Sequence, residues 1–500
     1  MTGTTSVTGT TSVGLTEAVD PLVVALDVGS TGTRGGVYDA TGRPVRGLRH
    51  KVPHGFTTRP DGTSEIDPAQ VLREVAEILD ALDDSRLGAR VRGVALDTFA
   101  ASLVGVDAAG TAVTACLTYA DSRSAAHAAA LRRELDVRAV HDRTGTMIHP
   151  SYHAPRLRWL AATAPDVVVR SSSWWSLGEY VYHHLLGTTA VGTSTAAWTG
   201  LLDRRTGAWD TELLEATGTD PERFSAVHDP GVPLTPATGE VARRWPTLAG
   251  AVWFPVVSDG FASNVGAGAV DATSIAAAAA TSGALRVLLD APPETVPDGL
   301  WSYRVDAGRS LLGGALNDVG RAVTWLSETL RLDGAQGAVL LAEPSATTPL
   351  VLPYLSGERA PGWAGDARAV LTGVGAATTP DDLYRGTLEG VALTYARVAD
   401  LLAPAAPDAD RIMASGRVAK DLPEWLQVLA DVLGRPVTHV TARRSTLRGT
   451  ALLALDVLAP AVARSSPETG ATYEPVPGRA GYYRDRRGRF EALYDALVRG

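Results

Sequence analysis

Five hundred residues, 45% of them hydrophobic and 20% charged, are ample for a packed core and exceed the usual size of one domain. A formal net charge of −9 removes any electrostatic reason to expect nucleic acid or an acidic membrane as a partner, and leaves small neutral or anionic substrates open. A single cysteine, Cys116, excludes an intramolecular disulfide and a metal–thiolate site, and fits a reducing cytosol.

Residues 1–20, MTGTTSVTGTTSVGLTEAVD, are rich in Thr, Ser and Gly and have neither a basic start nor an apolar stretch. They are expected to form a disordered leader rather than a signal peptide. The next segment, VVALDVGSTGTRGGVYDATG at 23–42, reads as strand, small polar turn and strand, with Asp27 at the end of the first strand. Three readings compete for it: a plain turn, a phosphate cradle, or a metal-assisted transfer site. The chain has no GxxxxGK, and its only lysines are Lys51 and Lys420, so a phosphate site must use backbone N–H groups, hydroxyls, arginine and a metal. Gly29 and Gly32 allow a close backbone approach, Ser30, Thr31 and Thr33 add hydroxyls, and Asp27 can hold Mg²⁺ through its water shell.

Farther along, DPAQVLREVAEILDAL repeats apolar residues at helical spacing, while RVRGVALDTFAASLVGVD is β-rich, so the fold class is α/β. LTYADSRS puts Asp121 and Arg123 just after a strand, where they either bind polyol hydroxyls or a carboxylate or pair with each other. The domain change is expected within WFPVVSDGFASN, giving domains at 21–255 and 256–500. In the same stretch Asp259 follows an apolar strand, as a helix N-cap or as a general base whose floor Gly260 and Asn264 shape. SIAAAAATSGALRVLL, from 274, is too short and interrupted to span a bilayer. It repeats the strand, turn, strand pattern around Thr281, Ser282 and Gly283, which suggests a duplicated architecture with a cleft between the halves.

From about Val23 to its C-terminal region the chain resembles the FGGY carbohydrate kinases. ALDVGSTGTR and ATSGALRVL are similar to the family's two phosphate motifs, and ASGRVAKDLPEWLQVLADVLGRPV to its adenosine segment. TGTMIHPSYHAPRLRWL, GGALNDVGRAVTWL and LPYLSGERAPGWAGDARAVLTGV resemble the gluconokinase branch most. The resemblance implies an actin-like ATPase fold of two ribonuclease H-like domains closing over ATP, Mg²⁺ and a sugar or polyol. It makes Asp27 the Mg²⁺-linked acid and Asp259 the catalytic base. Gly29, Ser30, Thr31 and Thr33, with Thr281, Ser282 and Gly283, then face the phosphates, and Gly416 and Arg417 the adenosine. Ser102, Asp121, Arg123 and Tyr152 belong to the sugar site.

The chain departs from the family pattern at several positions. Ala280 and Arg417 stand where glycines are usual, Tyr119 where Trp is usual, Gly178 where Lys is common, and Ala100–Ala101 where a bulky residue and His are common. The expected activity is ATP-dependent phosphorylation of a sugar, sugar acid or polyol hydroxyl, with gluconate the leading named substrate. The space left by Ala100 and Ala101 shifts the expectation toward a bulkier or modified sugar acid. The alternatives are a ketose kinase acting on a sugar such as xylulose, and a catalytically weak sugar- or nucleotide-binding protein. A cytoplasmic location is expected, and a homodimer is the family's tendency.

Overall fold

The computed structural model describes residues 12–237, 239–332 and 335–499. The chain divides into two compact units. The first comprises residues up to Gly266 together with Ser302–Leu311 and Arg443–Ser466, and the second comprises Ala267–Trp301, Leu312–Ala442 and Pro467 onward. The division therefore lies beyond the expected change at 255/256, and Asp259 stays with the first unit. The return of 443–466 to that unit has a packing cause, described below.

The largest sheet of the first unit has six strands. Its strands are β1 (Leu22–Gly29), β2 (Gly32–Tyr38), β3 (Pro44–Val52), β4 (Val91–Thr98), β5 (Val252–Trp253) and β6 (Val257–Ser258). The order is β5-β4-β1-β2-β3, with β6 also pairing β4. β1, β2 and β3 are antiparallel neighbours, whereas β4 runs parallel to β1, β5 and β6. β1 and β4 are buried almost throughout, as strands covered on both faces must be. One cover is α1 (Pro68–Leu82), capped by the Asp67 side chain with Pro68 in its first turn, burying Val71, Val75, Ile78, Leu79 and Leu82.

Residues 1–11 of the expected leader lie outside the described residues. The rest of it is not a loose leader, because Val13 is buried and bridges Val45 beside β3, and Arg90 bonds the Leu15 and Ala18 carbonyls.

In the second unit Gly283–Leu289, Ser274–Ala279, Arg411–Ser415, Val437–Val440 and Thr469–Tyr473 are successive neighbours in one sheet. Ser274–Ala279 and Gly283–Leu289 form the antiparallel hairpin, and Arg411–Ser415 runs parallel to Ser274–Ala279. This is the pairing pattern of β2, β1 and β4, so the two units carry matching hairpin arrangements, as the repeated strand, turn, strand pattern implies. The core packs around helix Pro380–Leu402, where Tyr384, Tyr395 and Trp425 are fully buried. Among the described residues no helix is long and apolar enough to cross a membrane.

Candidate active site

β1, β4 and β6 are parallel, so their carboxyl ends open at one edge of the first unit's sheet, the usual place for ligands in such sheets. Asp27, two residues before the end of β1, lies opposite Asp97 on β4, and Val257–Ser258 of β6 lies opposite Asp97–Thr98. Asp259 follows at once, as the first residue of α2 (Asp259–Gly266). Three carboxylates from three chain segments thus gather at one edge.

Their surroundings differ. Asp27 is 2% exposed and Asp97 fully buried. Burial raises the Asp27 carboxyl above its ordinary value, and the Arg34 guanidinium opposes that rise. Burial first, and then the charges of Asp27 and Asp259, hold Asp97 well above the usual carboxylate range, against the Thr450 hydroxyl that donates to it. Asp97 Oδ1 has no hydrogen-bond partner among the described residues unless Asp97 carries a proton and donates it to Asp27.

Thr450 reaches Asp97 from α3 (Ser445–Leu458), which packs on α2 more closely than side chains allow. A Cβ at Gly449 would overlap the Ala262 carbonyl oxygen, and one at Gly266 the Ser445 carbonyl oxygen. This backbone-to-backbone approach is what returns 443–466 to the first unit. It also ties α2, the helix that Asp259 opens, to the helix that carries Thr450.

The β1–β2 turn is tight, with Gly29 opposite Gly32. Thr31 at its tip is exposed, while Ser30 is half-buried. Arg34, the cross-strand partner of Asp27, donates from Nη1 to Asp27 Oδ2 and from Nη2 to Thr31 Oγ1, both at 3.2 Å. Thr33 differs from expectation. It is fully buried and its hydroxyl donates at 2.6 Å to Glu74 on the sheet-facing side of α1. Glu74 also meets His54 Nδ1 at 2.7 Å, and His54 Nε2 lies 2.8 Å from the Gly29 carbonyl, so this network braces the turn from beneath.

The expected sugar residues separate into two groups. Asp121 does not present a free carboxylate: it accepts from the Ser64 amide at 2.9 Å and from Arg123, whose Nη2 also pairs with Glu65. Arg123 lies over Trp159, 4.6 Å from the ring centroid. Of the readings weighed for this pair, mutual pairing is the one observed. Ser102 is likewise buried, its Oγ accepting the Leu177 amide at 3.0 Å. Tyr152 belongs to an aromatic wall: its hydroxyl meets that of Tyr303 at 2.6 Å, and Tyr303 stacks on Trp198 with centroids 3.7 Å apart. Trp198 in turn faces Gly260, next to Asp259, where a Cβ would come to 3.0 Å. Ala101 is buried with a left-handed backbone (φ 53°), and its carbonyl accepts from the buried Arg156 at 2.6 Å.

In the second unit Thr281 and Ser282 are exposed at the hairpin tip, and the Ala280 and Thr281 carbonyls accept the Gly320 and Arg321 amides that open the following helix. Gly416 has φ 111°, and a Cβ there would collide with the Ala279 carbonyl, so only glycine lets the end of Arg411–Ser415 lie so close to that strand. Arg417 extends into solvent and leans toward Asp421 at 3.7 Å.

Sequence reasoning passed over Asp97, Arg34, His54, Trp198 and Tyr303. For Asp97 the signal was present, because Val-Ala-Leu-Asp occurs twice, at 24–27 and 94–97, each time at a strand end.

The donor set fits a hydrated Mg²⁺. All candidates are oxygens, and Thr98 Oγ1 and Ser258 Oγ are buried without hydrogen-bond partners among the described residues. No group of three or more Asp, Glu, His or Cys side chains among the described residues forms a direct metal cage.

The N-terminal domain model of the FGGY family of carbohydrate kinases matches residues 22–267, and the C-terminal domain model matches residues 275–456. The chain is 26% identical over 456 residues to a gluconokinase of Bacillus licheniformis, covering 87% of each. Its structure is similar, at TM-score 0.88, to a gluconate kinase (24% identity) and a xylulose kinase (25%), both from Lactobacillus acidophilus. Each similarity covers 95% of this chain and 98% of the other. The chain belongs to the FGGY family of carbohydrate kinases, and is an ATP-dependent sugar kinase on the actin-like ATPase fold.

Proposed function

We propose that this kinase phosphorylates a hydroxyl of gluconate or a bulkier sugar acid like it, with Asp259 as the general base. The observation that carries this reading is the gathering of Asp27, Asp97 and Asp259 at the carboxyl ends of parallel strands. Asp259 is half-buried at the start of α2, beside the Trp198–Tyr303–Tyr152 wall, and is suited to take a proton from a hydroxyl resting on those rings. Asp27, with Asp97 behind it, would hold Mg²⁺ through water, and the ion would neutralise charge on the transferring phosphoryl group. Arg34, Thr31, Ser30 and the Gly29 turn are the phosphate contacts in the first unit, Thr281, Ser282 and Gly283 those in the second, and Gly416 the adenosine neighbour. Ser102, Asp121 and Arg123 shape the sugar site from behind rather than by contact. The gluconokinase names among the relatives support the sugar acid, and the xylulose kinase structure supports a ketose as the second reading. The same reading puts the enzyme in the cytoplasm, where ATP is made available, and as a homodimer.

The test is ATP-dependent phosphorylation with Mg²⁺ across gluconate, modified sugar acids, xylulose and glycerol. The highest kcat/KM on a sugar acid supports the proposal, and a preference for xylulose establishes the second reading. Turnover of none of them, with ATP still bound, indicates a binding protein instead.

A further inference from the structure

β3 and the start of α3 border a cavity of about 150 Å³ in the first unit, lined by Tyr38, Arg46, Arg49, Arg443, Arg444 and Leu447 among others. No carboxylate lines it, and neither do Asp27, Asp97 or Asp259. Elsewhere in this unit arginines find acids, as Arg34 does with Asp27, Arg43 with Asp39 and Arg90 with Asp20. The guanidinium groups of Arg49, Arg443 and Arg444 have no hydrogen bond or ion pair among the described residues, and that of Arg46 has only the Ser12 carbonyl at 3.3 Å. The eleven residues before Ser12 contain no Asp or Glu to supply the missing charge.

Four guanidinium groups without a direct ion pair line one cavity of a chain with net charge −9, and they repel one another. Burial, and then the charges of Arg49 and Arg34, push the Arg444 guanidinium below its usual range, against Tyr38 and the more distant Asp27. Arg444 is also one of three non-glycine residues with positive φ among the described residues, at 64°, a strained backbone immediately before α3. The amino end of that helix adds partial positive charge.

We propose that this cavity is an anion site, separate from the catalytic acids, that takes the phosphate group of a small phosphorylated metabolite or phosphate itself. Guanidinium groups suit phosphate because they bind it bidentately. The volume corresponds to about five waters, well below that of a drug-sized site, so a phosphate enters and any attached group stays outside.

The test is calorimetric titration of the full chain, with neither ATP nor sugar acceptor present, using inorganic phosphate and glucose 6-phosphate as probes. The variants below separate binding in this cavity from binding at the phosphate turn of Thr31 and Arg34, neither of which lines it. One equivalent should bind, more weakly as salt rises. The Arg49→Ala/Arg443→Ala double variant, and separately Arg444→Gly, should each lose about tenfold or more in affinity. Arg444→Gly relieves the backbone strain, so its Tm should not fall, which separates lost binding from lost folding. Tighter binding of glucose 6-phosphate than of phosphate identifies a phosphorylated metabolite as the occupant, and equal binding identifies phosphate. No binding, or affinity unchanged in both variants, overturns the proposal.

Discussion

Asp27 and Asp97 occupy the same register position on neighbouring parallel strands, each closing an identical Val-Ala-Leu-Asp stretch. Two carboxylates buried this close do not both ionise readily, and the more deeply buried Asp97 holds the proton. Its folded pKa is raised above the unfolded value, so folding takes up a proton. The stability Asp97 contributes is complete below about pH 4 and is lost as pH rises toward its folded pKa.

Asp97→Asn is neutral at every pH and keeps both an acceptor for Thr450 and a donor for Asp27. The variant should match the parent near pH 4 and exceed it near pH 8 by about 1–3 kcal/mol. Thermal unfolding across that range checks this, and destabilisation at all pH values would show that Asp97 is ionised in the fold.

Arg34→Ala should move the acid limb of the kcat/KM profile to higher pH. Burial raises the Asp27 carboxyl and Arg34 holds it down, so removing the guanidinium leaves burial less opposed. An unmoved limb would mean that the ionisation of Asp27 does not limit turnover.

Gly449→Ala forces a methyl into the Ala262 carbonyl, and separating α2 from α3 should cost about 3 kcal/mol. It should also lower kcat, because Asp259 opens α2 and Thr450 sits on α3. Gly488→Ala is the contrast: it lies on the exposed side of helix Ala480–Tyr494 with open space around it, and should stabilise by up to about 1 kcal/mol. Urea unfolding of the two variants distinguishes close approach from a general effect of alanine.

His54→Leu leaves Glu74 its Thr33 and Gln70 donors but removes the ring that reaches the Gly29 carbonyl. With the phosphate turn less braced, KM for ATP should rise by about tenfold, the equivalent of one lost hydrogen bond, while KM for the sugar stays put. Equal rises in both would point to a general loss of folding.

The hairpins, α1, the α/β class and the positions of Asp27 and Asp259 were legible in the sequence because each depends on local periodicity and turn chemistry. The two-residue turn even fixes Arg34 opposite Asp27, a pairing that could have been read from register. What was not legible depends on side chains meeting across the fold. Thr33 sits on the strand face that α1 covers, where Glu74 interrupts the apolar surface and takes its hydroxyl. Asp121 and Arg123 satisfy each other with help from Ser64 and Glu65, more than fifty positions away. The return of 443–466 to the first unit rests on two glycines far apart in the chain, a contact that neither segment announces.

The central claim is that Asp259 takes the acceptor proton, and Asp259→Asn tests it most directly. The amide keeps the shape of the carboxylate and loses its basicity, so kcat should fall by about 10²-fold or more, with KM for ATP and sugar near the parent values. A variant that retains near-parent kcat would contradict the account, and would leave Asp259 as no more than the first residue of α2.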